Sequence, residues 1–419
     1  MDSNCWNSTN LKGLRALHLS TGRVGGAANA AVRIVSAQNI AGIDAFLKYR
    51  KPASLSDWLR RDQPTDLSMG IGQSVTSRAH SIINRRRTRQ PSVLFTPTEV
   101  SLTDRQIRKL VAGFDVINVH NAYNFVKVDR LRKAIPRAKI VLTLHDERLL
   151  TSGCHYTLDC AGFLTSCRSC PQDRMKLRFG RQEDSPLKKL RDDELLRVVT
   201  PSSWLARQVE ISGFPKDRLT IIPYPIDTQD FPLKTREPRG ANETLTVGWL
   251  PGKLHGPFWE AIRLVNSYQG RTRGPLATVL TTTHASVPHG QHVIRVDPPT
   301  TESERADFWS RADVGVSLTP ADNFPNVTLE SICVGTPFIS NQVGGAGEAI
   351  SATQGGRVIP TANPEDLSEA LLDVIRSPDV WNDRALDAAK RLRILFSPIR
   401  VGEAYKDLYW SFEGLDLHD

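Results

Sequence analysis

The feature that most constrains the fold is a regular alternation of short apolar segments with helical segments along most of the chain. The first apolar segment covers residues 14–19, and it is followed by a glycine loop that ends at Gly26 and by an alanine-rich segment over 27–41. Strands that alternate with helices favour parallel sheets covered by helices on both faces. The sequence therefore predicts an α/β protein of the doubly wound, Rossmann-like kind.

A proline-rich stretch at residues 223–238 divides this alternation into two units. With 419 residues and a hydrophobic content of 40%, the chain is long enough to bury two cores. We predict an N-terminal domain over 1–222 with a cysteine-rich insert at 151–171, a C-terminal domain over 223–396 and a final helical segment over 397–419. Two facing doubly wound domains bring the carboxyl ends of both sheets to one cleft, where such sheets bind ligands.

The ionisable residues give the chain a modest positive charge. Its 54 Lys and Arg exceed its 45 Asp and Glu by nine, a balance that suits phosphates, anionic lipid head groups or nucleic acid. The basic segment at residues 51–89, which contains Trp58, is interpreted either as a contact with a lipid-linked acceptor at a membrane face or as a solvated loop. The chain has no run of eighteen apolar residues and no secretory pattern at its start, so we expect a cytoplasmic protein, peripheral at the inner membrane face if it contacts a membrane at all.

Two other classes of protein are disfavoured. A nucleic-acid-binding module would need a basic helix after the cysteines or interleaved aromatic and basic residues, and the sequence has neither. A Rossmann dehydrogenase would need Gly-x-Gly-x-x-Gly after the first strand and an acidic residue after the second. The loop here reads GRVGG, and residues 48–51 are basic.

Four of the six cysteines fall within seventeen residues, with the spacing C-x5-C-x6-C-x2-C. In a cytoplasmic chain such crowding favours thiolate ligands over disulfides, and four thiolates suit tetrahedral zinc. The sequence therefore predicts a structural zinc site, and the alternative is a set of reduced thiols in packing roles. The proposed ligands are Cys154, Cys160, Cys167 and Cys170.

The segment from 322 to 348, DNFPNVTLESICVGTPFISNQVGGAGE, carries two carboxylates eight residues apart. Asp322 lies in a turn that contains Pro325, and Glu330 lies on the helix that this turn begins. The start of a helix offers unpaired N–H groups and the positive end of a dipole, which favour a phosphate. Acidic residues at its rim suit sugar or ribose hydroxyls, so the segment predicts a site for a ligand that carries both phosphate and hydroxyl groups.

Two further groups of residues are expected at the same cleft. Gly25 and Gly26 follow the first strand and precede a helix, so they either let the backbone approach a ligand or form a tight turn. His120 and His145 each close a strand. A single histidine is most simply a satisfied core or surface residue, whereas two histidines at equivalent strand ends favour a role in the cleft.

These segments, together with VHNAYN, LTLHD and STGRVGGAANA, resemble the family 4 glycosyltransferases of the GT-B fold. The stretch HDERLLTSGCHYTLDCAGFLTSCRSCP resembles a subgroup that assembles exopolysaccharide, capsule or O-antigen. The resemblance implies transfer of a sugar, with retention, from a UDP- or GDP-sugar to a glycan or lipid-linked acceptor. It also implies that the last helix crosses back to the first domain.

The resemblance assigns roles to individual residues. It implies that Glu330 holds the ribose hydroxyls, that Asp322 holds the donor sugar together with the Asn323–Phe324 backbone, and that His145 acts at the sugar. It further implies that His120 lies near the acceptor and that the Gly25–Gly26 loop touches the donor diphosphate or the acceptor.

The chain also departs from the family pattern. Trp249 stands where the family usually has Arg, His255 precedes Gly256, and Asp322 replaces the commoner Glu. Lys253 is the candidate replacement for the missing charge on the donor diphosphate. Because the chain has no Asp-x-Asp pair, we expect no catalytic divalent metal. The alternative function is a catalytically degenerate GT-B scaffold that binds a glycan or a partner protein.

Overall fold

The computed structural model describes most of both predicted domains. The described residues are 13–22, 25–50, 79, 82–84, 86, 94–96, 99–167, 170–174, 185–234, 243–250, 254–268 and 276–412. Lys253, Trp58 and most of the basic segment at 51–89 lie outside them. The roles predicted for these residues stay predictions.

The first half of the chain forms a six-stranded sheet in which every neighbouring pair is parallel. The strand order is β2-β1-β3-β4-β5-β6. The order reverses between β1 and β3, so the switch point at which such sheets bind ligands lies at their carboxyl ends. The strands are β1 (Arg15–Ser20), β2 (Asp44–Tyr49), β3 (Val116–Val119), β4 (Lys139–Thr143), β5 (Leu196–Thr200) and β6 (Leu219–Ile221).

Helices connect these strands. The Ser202 hydroxyl accepts a hydrogen bond from Leu205 N and so caps the helix that begins at Ser203. Thr103 and Gln106 form a capping box at the start of another helix. The helices are α1 (Gly26–Ile40), α2 (Asp104–Val111), α3 (Val128–Ala134), α4 (Gly162–Thr165), α5 (Pro186–Lys189) and α6 (Ser203–Ile211).

The second half forms another parallel six-stranded sheet, with the order β12-β11-β10-β7-β8-β9. Counted from its own first strand, this is the 3-2-1-4-5-6 order of a dinucleotide-binding fold, with its switch point between β7 and β10. The predicted fold class of two doubly wound domains is confirmed. The strands are β7 (Leu245–Gly248), β8 (Ala277–Thr282), β9 (Val293–Val296), β10 (Val314–Ser317), β11 (Phe338–Asn341) and β12 (Gly356–Ile359).

The last helix of the chain packs on the first sheet. Tyr409 OH accepts hydrogen bonds from Gln38 in α1 and from Asn118 in β3, and Tyr405 OH bonds the Thr143 hydroxyl. In the part of the chain that the structure describes, no helix is both long and apolar enough to cross a membrane. The helices of this half are α7 (His255–Ser267), α8 (Glu302–Ser310), α9 (Asn326–Cys333), α10 (Glu348–Thr353), α11 (Pro364–Arg376), α12 (Pro378–Leu395) and α13 (Pro398–Trp410).

Candidate functional site

A cavity of about 380 Å³ lies between the two sheets and is lined by residues from both. Its volume falls within the range of small-molecule sites, and its position at the carboxyl ends of β1 and β10 is where doubly wound sheets bind ligands. Six residues predicted from the sequence line it, namely Gly25, Gly26, His145, Asp322, Phe324 and Glu330. Residues 120 and 323 are not among its lining residues.

The glycine loop reaches the other domain. Gly25 has a φ of +105°, a value that favours glycine, and it begins α1. The Asn326 side-chain amide, at the start of α9, donates to Gly26 O at 2.9 Å. The N-termini of α1 and α9 therefore meet beside the cavity, which concentrates partial positive charge there.

The turn that holds Asp322 is fixed by a second pair of glycines. A Cβ atom on Gly345 would lie 2.0 Å from Asn323 O, and one on Gly344 would lie 2.2 Å from Asp322 O. Gly345 N donates to Asp322 O at 3.1 Å. Glycine is needed at both positions because the backbone of the turn approaches too closely for any side chain.

The Asn323 side chain has a structural role, and the role predicted for the Asn323 backbone at the donor sugar stays a prediction. Its side chain is buried, and its Oδ1 accepts a hydrogen bond from the Ser202 hydroxyl of the other domain. Its backbone hydrogen bonds with Tyr156, whose ring stacks on Trp204. The Asn323 side chain therefore joins the two domains, and Tyr156 carries the polar contact to the cavity wall.

A charged cluster forms the second-domain wall of the cavity; it comprises Arg33, Arg305, Glu302, Asn326 and Glu330. Arg33 Nη2 donates to Glu330 Oε1 at 2.6 Å and to Glu302 Oε2 at 2.6 Å, and Arg33 Nη1 donates to Asn326 Oδ1 at 3.1 Å. Arg305 Nε lies 3.5 Å from Glu330 Oε1. Because Arg33 belongs to α1 and its partners belong to α8 and α9, the cluster ties the two domains together.

In the charged cluster, attraction between neighbouring opposite charges outweighs the cost of burying them. The Glu330 side chain is 1% exposed and that of Arg33 is 8% exposed. Burial alone would lower the pKa of Arg33, but the charge of Glu330 and the bonds to Glu302 raise it above its ordinary value. Burial likewise opposes ionisation of Glu302. The hydrogen bond and the charge of Arg33 outweigh the effect of burial and lower the pKa of Glu302. Arg33 and Glu302 are therefore both ionised at neutral pH.

A histidine column, His18, His120 and His145, lies behind the first-domain wall. His18 Nδ1 is 2.8 Å from His120 Nε2, and His120 Nδ1 is 2.8 Å from His145 Nε2. Successive ring centroids are 5.1 Å apart. His145 lines the cavity, whereas His120 lies behind it, against a separate cavity of about 30 Å³.

The histidine column is uncharged. Burial lowers the pKa of His18 to about 4, and the bond to Gln38 offsets only part of this effect. Burial also lowers the pKa of His145 to about 4 against the opposing charge of Asp146. The pKa of His120 is lowered further below its ordinary value by burial and by its two histidine neighbours. Three neutral imidazoles therefore stand in line at pH 7.

Asp146 adds a carboxylate to the first-domain wall of the cavity. His155 Nδ1 lies 2.7 Å from Asp146 Oδ2, and Arg148 N donates to Asp146 Oδ1 at 2.9 Å. Burial would raise the pKa of Asp146, but the charge of His155 and these bonds lower it. The sequence motif LTLHD contains Asp146, yet only the structure shows it at the cavity.

The prediction of a zinc site is not supported. Within the described residues, no group of three or more His, Cys, Asp or Glu is arranged to hold a metal ion. The thiol of Cys154 hydrogen bonds with Cys170, and this bond, burial and the nearby Cys167 and Cys160 raise the pKa of Cys154. Among the described residues none of the four cysteines forms a disulfide, so reduced thiols in packing roles, the alternative, are the arrangement that the structure describes.

Trp249 does not provide a substitute for the missing cation. It is 1% exposed, and its ring stacks on Phe258 at 4.4 Å in the core of the second domain. His255 and Gly256 line a different cavity, of about 620 Å³, beside α7. Among the described residues, the Lys or Arg side chain that lines the interdomain cavity is Arg305, which the sequence motifs did not reveal.

Comparison with protein-family models places a glycosyltransferase domain in each half of the chain. Residues 24–230 match the model described as Glycosyltransferase Family 4, and residues 277–377 match the model described as Glycosyl transferases group 1. The resemblance that the sequence motifs carry is confirmed at this level. The finer subgroup with the cysteine-rich insert is not distinguished by these models.

Curated relatives match parts of the chain. D-inositol 3-phosphate glycosyltransferases of Nocardiopsis dassonvillei and Streptosporangium roseum are 29% and 33% identical over 117 residues, which are 28% of this chain and 27% of each relative. The glycogen synthase of Mycobacterium tuberculosis is 28% identical over 239 residues, which are 51% of this chain and 57% of that protein. The chain thus matches only about a quarter of the length of the first two relatives.

Solved structures share the fold over nearly the whole chain. Sucrose-phosphate synthase from Thermosynechococcus elongatus has a TM-score of 0.61 at 13% identity, with 95% of this chain and 99% of that chain covered. HepE of Anabaena in complex with UDP-glucose has a TM-score of 0.56 at 13% identity, with coverages of 95% and 100%. At this identity the similarity shows the fold alone, which is the GT-B arrangement.

Proposed function

We propose that this protein, with a glycosyltransferase domain in each half, transfers a sugar from a UDP- or GDP-linked donor to a glycan or lipid-linked acceptor. The observation that carries the proposal is the interdomain cavity. It brings Asp322, Glu330 and the Gly25–Gly26 loop together at the switch points of both sheets, although they are distant in sequence.

The second-domain wall offers a site for each part of the donor. The Glu330 carboxylate is the acceptor for the ribose hydroxyls, and its Oε2 has only a long 3.4 Å contact with Trp309 Nε1. Asp322, with the Asn323–Phe324 backbone, is the acceptor for hydroxyls of the donor sugar. A ribose can bind at Glu330 Oε2 while Arg33 keeps Oε1, so the contact that ties the domains together also holds the carboxylate in place for the donor.

Positively charged or polarised groups of the chain would stabilise the negative charge on the leaving diphosphate. The backbone at Gly25 and Gly26, the N-terminus of α9 and the guanidinium of Arg305 all face the cavity. Donors that are held in place before the reaction stabilise developing charge without reorganisation. We infer a transfer with retention, in which the acceptor attacks from the face that the nucleotide leaves, with no divalent metal among the catalytic groups.

The first-domain wall is assigned to the acceptor from the chemical character of its side chains. Asp146 and His145 line the first-domain wall, where a sugar hydroxyl of the acceptor would meet a carboxylate. The cysteine-rich segment at 151–171 resembles enzymes of surface-polysaccharide assembly, and we propose a cytoplasmic reaction of this kind at the inner membrane face. HepE of Anabaena, a structure with the same fold, holds UDP-glucose, which supports a UDP-sugar donor.

The alternative is a degenerate GT-B protein that binds a glycan or a partner. It is favoured by one observation: Glu330, which should serve the donor, is already engaged by Arg33 in the described structure. In a scaffold, this ion pair between the domains would be the whole role of Glu330, whereas in an enzyme Glu330 would also bind the ribose through its other carboxylate oxygen.

A panel of UDP- and GDP-sugars distinguishes the two functions. Each compound is added to the protein, and both the thermal shift and the slow release of free nucleotide by donor hydrolysis are measured. An enzyme is expected to be stabilised by one nucleotide class and to hydrolyse one sugar form of it. Absence of any shift and of any hydrolysis across the panel would rule out the proposed function and leave the scaffold.

A further inference from the structure

The turn formed by residues 322–324 is held from the first domain at its middle residue. The Ser202 hydroxyl donates to Asn323 Oδ1, and the Tyr156 side chain hydrogen bonds with the Asn323 backbone. Asn323 is 1% exposed, whereas Asp322 and Phe324 on either side of it line the interdomain cavity. The first domain therefore contacts the middle of the turn, while its two neighbours face the cavity.

The direction of the bond between Tyr156 and the Asn323 backbone follows from its effect on the phenol. Burial and the charge of Asp322 raise the pKa of Tyr156 well above its ordinary value, and the bond to Asn323 opposes this rise. A hydrogen bond that lowers the pKa of a phenol stabilises its anion, so the oxygen is the acceptor in that bond. The Asn323 backbone N–H therefore donates to the Tyr156 hydroxyl across the cleft.

Both chain neighbours of Tyr156 are fixed by the residues that follow β4. His155 Nδ1 lies 2.7 Å from Asp146 Oδ2, and Glu147 N donates to His155 O at 2.9 Å. Thr157 donates to Glu147 twice, from N to Oε2 at 2.6 Å and from Oγ1 to Oε1 at 2.9 Å. The backbone on either side of Tyr156 is thus bound to the carboxyl end of the first sheet.

We propose that residues 154–157, the start of the cysteine-rich segment, form an arm that positions the turn at 322–324 through Tyr156. The ring of Tyr156 also stacks on Trp204, with centroids 6.3 Å apart and planes 28° from parallel. Tyr156 is a positioning residue, since it acts through Asp322 and Phe324. The use of the turn for a donor sugar rests on the proposed function, and the contact itself does not.

The turn has reason to need support from outside its own domain. It packs on the backbone of Gly344 and Gly345, and Gly344 has a φ of +55°. Glycine loses more conformational freedom on ordering than any other residue, so a contact from the arm limits the positions that the turn can adopt. Hydrogen bonds to sugar hydroxyls are directional, and a turn held in one position distinguishes sugars that differ at one hydroxyl. The arm should therefore affect the choice of sugar more than the affinity for nucleotide.

Hydrogen exchange on the free protein tests the contact without any substrate. Tyr156→Phe keeps the ring and its stacking but removes the acceptor oxygen. The Asn323 N–H should then exchange about fivefold faster or more, as measured by mass spectrometry on the peptide that contains the turn. Equal exchange in the unaltered protein and in Tyr156→Phe would overturn the contact.

Tyr123→Phe is the matched control for this experiment. Tyr123 packs edge-on against His155 with ring centroids 4.9 Å apart, and it is not among the residues that line the interdomain cavity. It loses the same hydroxyl group on the other side of the arm, so exchange at Asn323 should stay unchanged. Faster exchange in both variants would show that the effect is not specific to Tyr156 and would contradict the proposal.

Two variants at Glu147 test whether the arm places Tyr156. Glutamine at this position can still bond both groups of Thr157, through its carbonyl oxygen and its amide, whereas leucine can bond neither. Glu147→Leu should speed exchange at Asn323 as Tyr156→Phe does, and Glu147→Gln should resemble the unaltered protein. Circular dichroism establishes that both are folded. The same exchange rate in the two Glu147 variants would contradict the role of the arm.

The choice among sugars tests the consequence for the reaction. Two donors with the same nucleotide, whose sugars differ in the orientation of one hydroxyl, are compared by kcat/KM. In Tyr156→Phe the preference for the better donor should fall by about tenfold, while the affinity for free nucleotide stays the same. An unchanged preference would refute the positioning of the sugar-binding turn. Faster exchange at Asn323 in a protein that neither hydrolyses nor transfers any sugar would refute the proposed function and leave the contact standing.

Discussion

The two walls of the interdomain cavity satisfy their buried polar groups in opposite ways. The first-domain wall uses three neutral imidazoles in line, and the second-domain wall uses full charges, with Arg33 between Glu302 and Glu330. The three imidazoles and the Arg33–Glu330 pair are almost fully buried. A neutral chain fixes the positions of hydrogens at little electrostatic cost, whereas a charged cluster gives strong attraction that is lost if one member is removed.

In the proposed function, this difference corresponds to the two parts of a nucleotide sugar. The nucleotide carries charge and ribose hydroxyls, and the charged cluster with the helix N-termini suits it. The sugar is neutral and is recognised through directional hydrogen bonds, for which the uncharged groups of the first-domain wall are suited. Changes at the charged wall should therefore affect stability and nucleotide affinity, and changes at the neutral wall should affect turnover.

The largest effect is expected for Glu330→Ala. It leaves Arg33 and Arg305 without their most buried partner, so the free energy of unfolding should fall by about 3 to 5 kcal/mol in urea titrations. Glu302→Ala is the matched control, because Glu302 bonds the same arginine but is 26% exposed. Equal losses for the two variants would contradict the special place of Glu330.

Asp322→Ala should act on turnover instead of stability. Because Asp322 contacts the donor sugar in our proposal, transfer from the sugar nucleotide should fall by about a hundredfold, while the affinity for free UDP or GDP stays nearly unchanged. Steady-state kinetics and calorimetry on the same preparation measure both quantities. A loss of nucleotide affinity equal to the loss of turnover would place Asp322 at the nucleotide.

A fall in pH should lower the free energy of unfolding through the three histidines of the first-domain wall. The pKa values of His18 and His145 are lowered to about 4 and that of His120 is lowered too, so the unfolded chain binds more protons than the folded one below pH 6.5. The stabilisation is complete above pH 6.5 and is lost as the pH falls towards 4.

One nearby group opposes this trend. Burial raises the pKa of Glu147 to about 7, so its contribution to stability grows as the pH falls from 7 to 4.5. Three histidines outweigh one carboxyl, and we expect a net loss on the order of 2 kcal/mol between pH 7 and pH 5. Urea titrations of the protein and of His120→Phe should show a shallower dependence on pH in the variant. Identical slopes would mean that the column does not titrate as described.

The smallest effect is expected at the contact between α10 and α6. The Glu348 carboxylate accepts hydrogen bonds from Ser203 N and Trp204 N, each at 2.8 Å, and so caps a helix of the other domain. Glu348→Ala should lower the free energy of unfolding by about 1 kcal/mol. Glu369→Ala, at an exposed site of α11, is the control and should have no effect. A loss at residue 369 as large as that at residue 348 would show that the cap contributes nothing specific.

The sequence predicted the fold well because the alternation of strands and helices is a local signal. Strands β9 and β12 give a weak signal of this kind, since each has only four residues and neither is mostly buried. A serine before a helical segment is another local signal, and Ser202 caps its helix in this way.

The candidate site was predicted only in part. Motifs with local spacing indicated Asp322, Glu330 and the glycine loop, and the fold brings them together. Arg33 was missed because its partner Glu330 is 297 residues away, and Gln38 because its partner Tyr409 is 371 residues away. A histidine inside the apolar strand RALHLS and an arginine inside the alanine-rich helix were the available signals, since each places a polar group in a buried face.

The most direct test of the account is calorimetric titration of UDP, GDP and their sugar derivatives into the protein and into Glu330→Gln, which keeps the shape of the side chain. Circular dichroism first establishes that the variant is folded. We predict that one nucleotide class binds to the unaltered protein, and that Glu330→Gln weakens this binding by at least about tenfold, because a charge-assisted bond to ribose is lost. Nucleotide binding that is equally tight in both proteins would contradict the assignment of the second-domain wall to the nucleotide, and so would the absence of binding to either.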